Sequence, residues 1–502
     1  MSGLGKGVCA AALAKLLSFC GLAVTCVKMD PYLNVDAGTM NPIIHGEVFV
    51  TDDGGETDMD IGTYERYLDN NLTAEHNITT GEIYRTVIDE ERKGDYLGRC
   101  VQIIPHITNE IKKRIRQVVV KSGSEIALVE CGGTVGDIES LPFLEALRQI
   151  KVEEGESNCV FLHVTLAPEL DSVGEQKTKP TQHSIQELRR IGIQPDIIVV
   201  RCKNPLLKEV KEKISLFTNV NVENVISNKD AKSTYEVPEI LADEGIVDSI
   251  LKQFQIDQKT IQWKGWKDVA ITFNETKEAI RIAMVGKYVS LADSYASVNQ
   301  ALKHSAAKLG YRVEVDWIDS EEIEKSPKKI ERLGNYDGIL IPGGFGSRGI
   351  EGKIIAADFA RKSGTPFLGI CLGFQLSVVS FARNVCKLEG AHSTELNPST
   401  TYPVIDLLPE QKTVKDMGAT MRLGGHDINV REESLAFKTY GSNKIRQRHR
   451  HRYELNQTYR YLFEKKAMKF SGWSDNGRRI EILELGFLVY LELPLNQCVN
   501  LR

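Results

Sequence analysis

Short runs of β-branched and apolar residues alternate along this chain with longer segments of helical periodicity, and this alternation constrains the fold more than any other feature. Alternation of this kind predicts an α/β protein in which parallel sheets are covered by helices. The strands predicted in the first half are Ala23–Lys28, Ile126–Glu130, Val160–Thr165 and Asp196–Arg201. The helices predicted there are Val8–Phe19, Ile107–Val119, Phe143–Ile150, Thr181–Ile191 and Lys208–Phe217.

A second α/β pattern begins near residue 280. It consists of strands at Ile280–Val285, Arg312–Ile318, Gly338–Ile341 and Pro366–Ile370, with a helix near Ser297–Leu309. The intervening segment has no clear period, and a chain of 502 residues is too long for a single core. We therefore predict domains at 1–254 and 280–502, joined by a linker at 255–279.

Composition excludes several classes of protein. A net charge of -5 gives no reason to expect a nucleic-acid partner. The 10 cysteines are scattered without a Cys-x-x-Cys pair, which is typical of a reducing cytosol and predicts a cytoplasmic protein. The apolar stretches Val8–Leu17 and Gly486–Leu495 are short and carry Lys15 and Glu492, so no membrane association is expected.

The chain opens on a glycine-rich segment, Ser2-Gly3-Leu4-Gly5-Lys6-Gly7, directly before a predicted helix. Glycines let backbone N–H groups turn toward phosphate oxygens, and a helix N-terminus adds a favourable dipole. The segment predicts part of a phosphate-binding loop, since a complete loop also has a preceding strand and an earlier glycine. A flexible glycine-rich terminus is the alternative that these residues leave open.

Carboxylates are concentrated between Asp52 and Asp60, and Glu130 ends a predicted strand. Ligands of open α/β sheets bind beyond the carboxyl ends of strands, and Mg²⁺ prefers one or two carboxylates together with nucleotide phosphates. The pattern indicates a magnesium site, with a solvated acidic turn as the alternative. For Asp137 and Glu139 the alternative is to cap the helix that follows.

Two further segments carry polar or nucleophilic groups at helix starts. Gly174–Ser184 places two lysines, hydroxyls and amides before a helix, which suits a nucleoside triphosphate or, alternatively, an exposed turn. Cys371 lies between Gly369 and Gly373 at a strand-to-helix turn, downstream of the Gly343-Gly344 pair. A helix N-terminus favours the thiolate, so we predict a nucleophile rather than a structural cysteine.

Several longer motifs occur in order, and together they resemble the CTP synthase family. In the first half they are Lys-x-Asp-Pro-Tyr from Lys28, His-Gly-Glu-Val-Phe-Val from His45, Gly94–Gly98, Gln102–Thr108, Gly132–Ser140 and Lys177–Gln182. In the second half the Cys371 turn, Ser393–Glu395 and Arg448–Glu454 resemble the class I glutamine amidotransferases. The resemblance extends from Ser2 to about Ile482, and it disfavours a nucleic-acid patch at Arg448–Glu454.

The resemblance implies a P-loop-like synthetase domain with a parallel sheet, followed by a class I glutamine amidotransferase α/β domain. It implies that ATP phosphorylates O4 of UTP and that ammonia released from glutamine displaces the phosphate to give CTP. It also implies Mg²⁺ as a cofactor, GTP as an allosteric activator and CTP as a feedback inhibitor. The implied assembly is a homotetramer that can stack into filaments.

The same resemblance assigns roles by position. The implied ATP-binding residues are Gly3, Gly5, Lys6, Gly7, Lys28 and Asp60, and Mg²⁺ would be held by Asp60 and Glu130. The implied UTP and CTP site consists of Ser2, Asp137, Ile138, Glu139, Lys177, Thr178, Lys179, Pro180, Thr181, Gln182 and Lys213. Cys371 is the implied catalytic nucleophile, and glutamine would contact Gly344, Leu372, Gly373, Phe374, Gln375, Glu395 and Arg452. Phe374 and His392 replace the Met and Asn that are usual in the family.

Both ends of the sequence depart from the family pattern. The strand that precedes the phosphate loop is missing ahead of Ser2, and no histidine follows His451 to complete a Cys–His–Glu triad. We therefore expect an incomplete or frame-shifted gene model. Two alternatives stay open: a truncated, glutaminase-dead paralogue that acts as a regulatory subunit of intact CTP synthase, and a lone P-loop ATPase with a vestigial glutaminase domain.

Overall fold

The computed structural model describes residues 3–170, 174–275, 278–287, 292–344, 346–407, 421–486 and 488–491. By its internal contacts the chain divides into two compact units. The first consists of Met1–Asp36 with Asp60–Glu275, and the second of Ala37–Met59 with Thr276–Arg502. The domain boundaries drawn from the sequence, at 254 and 280, stay a prediction.

The larger sheets of the first unit are parallel, as the sequence predicts. Within the described residues, one sheet has the strand order Asn77–Thr79, Val24–Asp30, Ile126–Cys131. Another has the order Val225–Lys229, Ile197–Cys202, Leu162–Leu166. A short antiparallel pair, Glu169–Leu170 with Glu175–Gln176, completes the strands described in this unit.

Helices cover the strands of the first unit. They are Lys6–Phe19, Met59–Leu68, Thr80–Lys93, Thr108–Ser122, Leu141–Glu154, Lys179–Arg190, Lys208–Thr218, Val237–Asp243, Ile246–Gln253 and Trp266–Glu275. Thr80–Lys93 illustrates how local sequence sets the bounds of a helix. The Thr79 hydroxyl accepts a hydrogen bond from the Glu82 N–H at its start, and Gly94 adopts a left-handed φ of 86° at its end.

Two segments of the first unit differ from their predicted form for identifiable reasons. The strand predicted from Val160 begins at Leu162, because the Phe161 N–H donates to Asp196 Oδ2 at 2.6 Å. The predicted linker contains the helix Trp266–Glu275. Its first residue packs against the rings of Tyr67 and Tyr235, so tertiary contacts anchor a segment that has no clear period of its own.

The second unit is built on a mixed sheet, nine-stranded in its described part. The strand order is Arg312–Asp319, Ala279–Gly286, Gly338–Ile341, Phe367–Ile370, Leu488–Leu491, Arg479–Leu485, Lys469–Ser474, Arg422–Val430 and Lys444–His451. Neighbours are parallel up to Leu488–Leu491 and antiparallel beyond it. The parallel strands confirm the second α/β pattern.

Smaller elements surround this sheet. The strands are Phe49–Val50, Glu56–Thr57, His392–Ser393, Pro403–Leu407 and Tyr453–Leu455. The helices are Pro42–His45, Ala296–Lys308, Ser320–Lys325, Ile350–Ser363, Leu372–Asn384, Leu435–Tyr440 and Arg460–Lys465. None of the helices in the described part of the chain combines the length and the apolar character that crossing a membrane requires.

Candidate active sites

A lysine and two carboxylates meet at the carboxyl ends of strands in the first unit. Lys28 and Glu130 lie opposite each other on adjacent parallel strands. Lys28 Nζ donates to Glu130 Oε1 at 3.0 Å and also to Asp60 Oδ2. Asp60 comes from the first turn of the helix Met59–Leu68. The structure therefore brings together three residues that the sequence places in the ATP and Mg²⁺ site.

Burial shapes the electrostatics of this cluster. It raises the pKa of Glu130, and the nearby charge of Asp60 acts in the same direction. It raises the pKa of Asp30 to about 6, against the opposing effects of Lys28 and of the hydrogen bond that Asn77 donates at 2.9 Å. Because three carboxyl groups share one ammonium group, a further cation there would be favoured.

The glycine-rich start of the chain lies beside this cluster. Gly3 and Gly5 have left-handed φ values of 74° and 89°, and the helix begins at Lys6. Lys6 Nζ donates to the Gly133 carbonyl at 3.2 Å. A Cβ on Gly7 would lie 2.1 Å from Asp60 Oδ1, so the absence of a side chain lets the acidic cluster approach the helix start.

The loop after the Glu130 strand carries Asp137, Ile138 and Glu139, which the sequence assigns to the UTP and CTP site. Asp137 Oδ2 accepts a hydrogen bond from the Thr134 N–H at 2.7 Å, which tightens the loop. Ile138 and Glu139 follow in a short 3₁₀ turn and are exposed. Ser2 lies outside the described residues.

The predicted triphosphate residues fall into an internal and an external group. Thr178 and Gln182 are buried and hydrogen-bonded to each other at 2.9 Å, and Thr181 donates to the Leu166 carbonyl at 3.0 Å. These side chains hold the start of the helix Lys179–Arg190, which has Pro180 in its first turn. The buried side chains of Thr178, Thr181 and Gln182 therefore fix the conformation of this helix start.

The lysines form the external group. Lys177 Nζ lies 2.6 Å from Glu175 Oε2, and Lys213 acts electrostatically on the same carboxylate. Lys179 Nζ lies 5.5 Å from the centroid of the Phe217 ring. Lys179 and Lys213 are exposed and Lys177 is half-buried, so the three cationic groups are accessible to an anion.

In the second unit, Cys371 occupies a strained turn between a strand and a helix. The strand Phe367–Ile370 ends immediately before it, and the helix Leu372–Asn384 begins immediately after it. Cys371 has φ 52° and ψ −111°, a conformation that costs free energy and is concentrated at functional sites. A Cβ on Gly373 would lie 2.0 Å from the Ile341 carbonyl oxygen, so the turn depends on that glycine.

The loop that contains Gly344 begins beside this turn. It follows the strand Gly338–Ile341, which pairs in parallel with the Cys371 strand, so that Ile341 lies opposite Gly369. On the other side, Cys371 Sγ donates to the Arg450 carbonyl at 4.0 Å. The Cys371 thiol and a glycine-rich backbone segment are thereby brought to the same sheet edge.

The predicted glutamine contacts divide between this edge and the core. Burial raises the pKa of Glu395, while the positive charges of Lys287 and Arg452 oppose the rise. Gln375 Nε2 donates to the Tyr453 carbonyl at 2.9 Å. Leu372 and Phe374 are buried in the hydrophobic core, so the substitution at Phe374 fills internal space.

Three histidines on two strands of the second unit's sheet meet edge to face. The ring centroids of His426 and His449 are 5.4 Å apart, and those of His449 and His451 are 5.3 Å apart. Burial, with the positive charge of Arg422, lowers the pKa of His449 well below its ordinary value. His451 Nε2 lies 3.1 Å from Glu454 Oε1.

Sequence reasoning missed four residues that contact the predicted site residues or their loops. Tyr64 donates its hydroxyl hydrogen to Glu130, and Asp30 adds a third carboxyl group to the Lys28 cluster. Lys287 and Lys353 donate to carbonyls of the Gly344 loop. A signal existed for Lys353, which stands among Ile350, Ile354 and Ala357 at helical spacing on an otherwise apolar face.

A unit with a glycine-rich helix start beside a carboxylate cluster, together with a unit that holds a cysteine on a tight strand-to-helix turn, is the combination expected of a glutamine-dependent synthetase. A family model described as CTP synthase N-terminus matches residues 1–256, and one described as Glutamine amidotransferase class-I matches residues 290–489. The chain belongs to the CTP synthase family.

Individual relatives agree with this assignment. The CTP synthase of Methanococcoides burtonii is 53% identical over 485 residues, which cover 97% of this chain and 90% of the relative. The CTP synthase of Thermococcus kodakarensis is 52% identical over 486 residues, with the same coverage of 97% and 90%. A solved glutaminase domain of Trypanosoma brucei CTPS with bound acivicin is 36% identical. That match covers 43% of this chain and 85% of the solved chain, with a TM-score of 0.40, and the family assignment does not depend on it.

The family match fixes the activity. This chain is a ligase that forms CTP from UTP in an ATP-dependent reaction and hydrolyses glutamine to supply the nitrogen. None of these matches indicates a truncated regulatory subunit, which was the alternative from the sequence.

Proposed function

We propose that UTP is activated at the cluster of Lys28, Asp60 and Glu130, and that ammonia is released from glutamine at Cys371. The observation that carries the first assignment is that Lys28 Nζ contacts both carboxylates at the carboxyl ends of parallel strands. The strained Cys371 turn beside the Gly344 loop supports the second assignment.

We further propose that Asp60 and Glu130 hold Mg²⁺. The donor set fits, because two carboxylates together with nucleotide phosphates are what Mg²⁺ prefers. Among the described residues no group of three or more His, Cys, Asp and Glu side chains forms a metal site, so phosphate oxygens would have to complete the coordination. Bound there, Mg²⁺ would neutralise charge on the ATP phosphates. Lys28 and Lys6 would add positive charge on the same phosphates, while Gly3, Gly5 and Gly7 leave room for them.

The UTP triphosphate is assigned to the external lysines, Lys177, Lys179 and Lys213, whose positive charges are accessible. Thr178, Pro180, Thr181 and Gln182 shape this helix start, and Asp137, Ile138 and Glu139 with Ser2 would complete the pocket. Because CTP carries the same triphosphate as UTP, the same lysines serve CTP as an inhibitor.

At the glutaminase site, the Cys371 thiolate attacks the amide carbon of glutamine and forms a tetrahedral oxyanion. The proton lost from the thiol passes to the amide nitrogen, so that collapse of the intermediate breaks the C–N bond, releases ammonia as NH3 and leaves a thioester. Water then hydrolyses the thioester to glutamate and regenerates the Cys371 thiol. Backbone N–H groups of the Gly344 loop would stabilise the oxyanion. Glu395 and Arg452 would bind the charged ends of glutamine. Gly373 and Gln375 would lie on the helix side of the site, and Leu372 and Phe374 would support that side from the core.

The remaining proposals concern regulation and assembly. The family resemblance implies that GTP activates this chain and that CTP inhibits it by feedback. It also implies a homotetramer that is able to form filaments. Mass measured in solution with and without UTP and ATP tests the tetramer. Glutamate release measured with and without GTP tests the activator.

The experiment for the two sites compares two nitrogen sources. Cys371→Ala should abolish CTP formation from glutamine and retain CTP formation from ammonium, since ammonium bypasses the thioester. Asp60→Asn should lower both rates by on the order of a hundredfold, as expected when a transition-state charge contact is lost. Cys386→Ala, a half-buried cysteine just beyond the same helix, is the matched control. If Cys371→Ala lost CTP formation from glutamine and from ammonium equally, the assignment would be contradicted.

A further inference from the structure

Lys353 is a lysine whose side chain is completely buried. It lies in the second turn of the helix Ile350–Ser363 and is 0% exposed. Lysine is almost never fully buried unless it is paired, because removing an ammonium group from water is costly. Among the described residues Lys353 makes no ion pair, so its place in the core calls for a different explanation.

Its hydrogen bond provides one. Lys353 Nζ donates to the Pro342 carbonyl at 3.1 Å, inside the protein. Pro342 comes directly before Gly343 and Gly344 in the loop that begins beside the Cys371 turn. Burial lowers the pKa of Lys353 well below its ordinary value, the positive charge of Lys287 acts in the same direction, and Cys371 opposes the shift. The amine therefore lies within electrostatic range of the reacting sulfur.

A second buried lysine holds the other end of this loop. Lys287 is 5% exposed, and its Nζ donates to the Gly346 carbonyl. Burial lowers the pKa of Lys287 to about 8. Arg348 in turn donates to the Lys287 carbonyl at 3.2 Å. A carbonyl at each end of Pro342–Gly346 is thus tied to a buried amine.

The planarity of the peptide bond gives these ties a consequence for the backbone N–H groups. In a trans peptide the C=O of one residue and the N–H of the next lie in one plane and point in opposite directions. Fixing the Pro342 carbonyl on the Lys353 side therefore fixes the Gly343 N–H on the opposite side. Glycine has the widest conformational freedom of any residue, so without such a tie a Gly-Gly backbone would sample many orientations.

We infer that Lys353 is a positioning residue of the glutaminase site, which orients the Gly343–Gly344 backbone toward the oxyanion formed at Cys371 by holding the Pro342 carbonyl. The inference rests on the proposed role of Cys371. It is distinct from a direct effect of the Lys353 charge on the thiolate, and the two can be separated experimentally.

The test uses the full-length enzyme with Lys353→Met, which keeps the length of the side chain and removes the donor. Glutamate release should show a kcat lower by roughly tenfold to a hundredfold, because oxyanion donors are worth up to a thousandfold and this change misplaces them without removing them. The KM for glutamine should stay within about twofold, since the oxyanion exists after substrate binding. Lys362→Met is the matched control, because Lys362 is an exposed lysine of the same helix that pairs with Asp358.

Alkylation of Cys371 by iodoacetamide supplies the second readout. Displacement of iodide forms no oxyanion, so its rate reports the thiolate alone and should stay within about twofold in Lys353→Met. If the alkylation rate and glutamate release fell in parallel, Lys353 would act through its charge on the Cys371 thiolate. That result would overturn the positioning role. Unchanged kcat for glutamate release would overturn it as well.

Lys353→Gln provides an independent variant, because it keeps an N–H donor on a shorter and uncharged side chain. We expect its kcat to lie between those of the wild type and Lys353→Met, and a value no higher than that of Lys353→Met would exclude the hydrogen bond as the cause. A wild-type enzyme that releases no glutamate would overturn the proposed role of Cys371 and this inference together. That result differs from failure of the inference alone, in which the wild type and Lys353→Met release glutamate equally.

Discussion

Lys28 and Glu130 face each other across two neighbouring parallel strands, with 3.0 Å between Lys28 Nζ and Glu130 Oε1. Both side chains are almost completely buried, and Lys28 also contacts Asp60. An ammonium group that serves two carboxylates inside the protein links the stability of the first unit to the same residues that are proposed to bind ATP and Mg²⁺.

Replacing Lys28 should therefore destabilise the fold in the absence of nucleotide. Lys28→Met leaves Glu130 buried without its cation, and breaking a buried pair in this way costs about 3–5 kcal/mol. Burial raises the pKa of Glu130, so the loss in free energy of unfolding should become smaller as the pH falls and protonation relieves the unpaired charge. Urea unfolding measures the difference. Lys121→Met, at an exposed pair with Glu75, should change the free energy of unfolding by less than about 1 kcal/mol.

The raised pKa of Asp30 predicts a second pH dependence. Its folded value of about 6 exceeds the ordinary value of 3.8, so its stabilising contribution is complete below pH 3.8 and is lost as the pH rises through 6. Asp30→Asn removes that loss. Relative to the wild type, the variant should gain about 1.5 kcal/mol in free energy of unfolding between pH 5 and pH 8. Asp89→Asn, at an exposed position, should show no comparable trend, and a flat difference for Asp30→Asn would contradict the prediction.

The affinities for UTP and for CTP should fall together when an external lysine is neutralised. Lys177→Met removes a charge-assisted contact to the triphosphate that both nucleotides share, which is worth roughly 1.5–3 kcal/mol for each. The KM for UTP and the inhibition constant for CTP are the measurements. Lys208→Met, an exposed lysine on the helix that carries Lys213, is the control. Loss of UTP affinity with full CTP inhibition would indicate separate triphosphate sites.

The turn at Cys371 should be intolerant of a side chain at Gly373. A Cβ there would lie 2.0 Å from the Ile341 carbonyl oxygen, and backbone atoms of a central strand cannot move away easily. Gly373→Ala should lower the free energy of unfolding by roughly 1–3 kcal/mol and lower glutamate release with it. Gly334→Ala, where the nearest atom is 3.8 Å away, should do neither. If Gly373→Ala had the same free energy of unfolding as the wild type, the strand Gly338–Ile341 and the helix Leu372–Asn384 could separate at little cost.

Local patterns in the sequence were sufficient for much of the fold. Runs of apolar and β-branched residues predicted strands such as Gly338–Ile341 with correct bounds. The glycines around Cys371 predicted a tight turn, and the structure has one with a positive φ. These features depend on a few neighbouring residues, because side-chain period and glycine freedom act over short distances along the chain.

The helix Trp266–Glu275 escaped prediction because its cause is not local. Trp266 donates through its indole N–H to the Tyr235 carbonyl at 2.9 Å and packs against Tyr67. Those partners are distant in sequence, so no periodic signal in the segment itself announces them. Tertiary anchoring can order a segment that has no clear amphipathic period.

By itself, the sequence determined the α/β class, the order of the motifs and the family to which they belong. The tertiary structure decided which charges meet. Lys28 and Glu130 are 102 positions apart and become partners through strand register, which is set by the packing of the whole sheet. Lys353 and Lys362 stand on one helix, yet the first is buried and the second is exposed. The physical reason is that burial depends on what distant elements place against each face, and this is absent from the local pattern of residues.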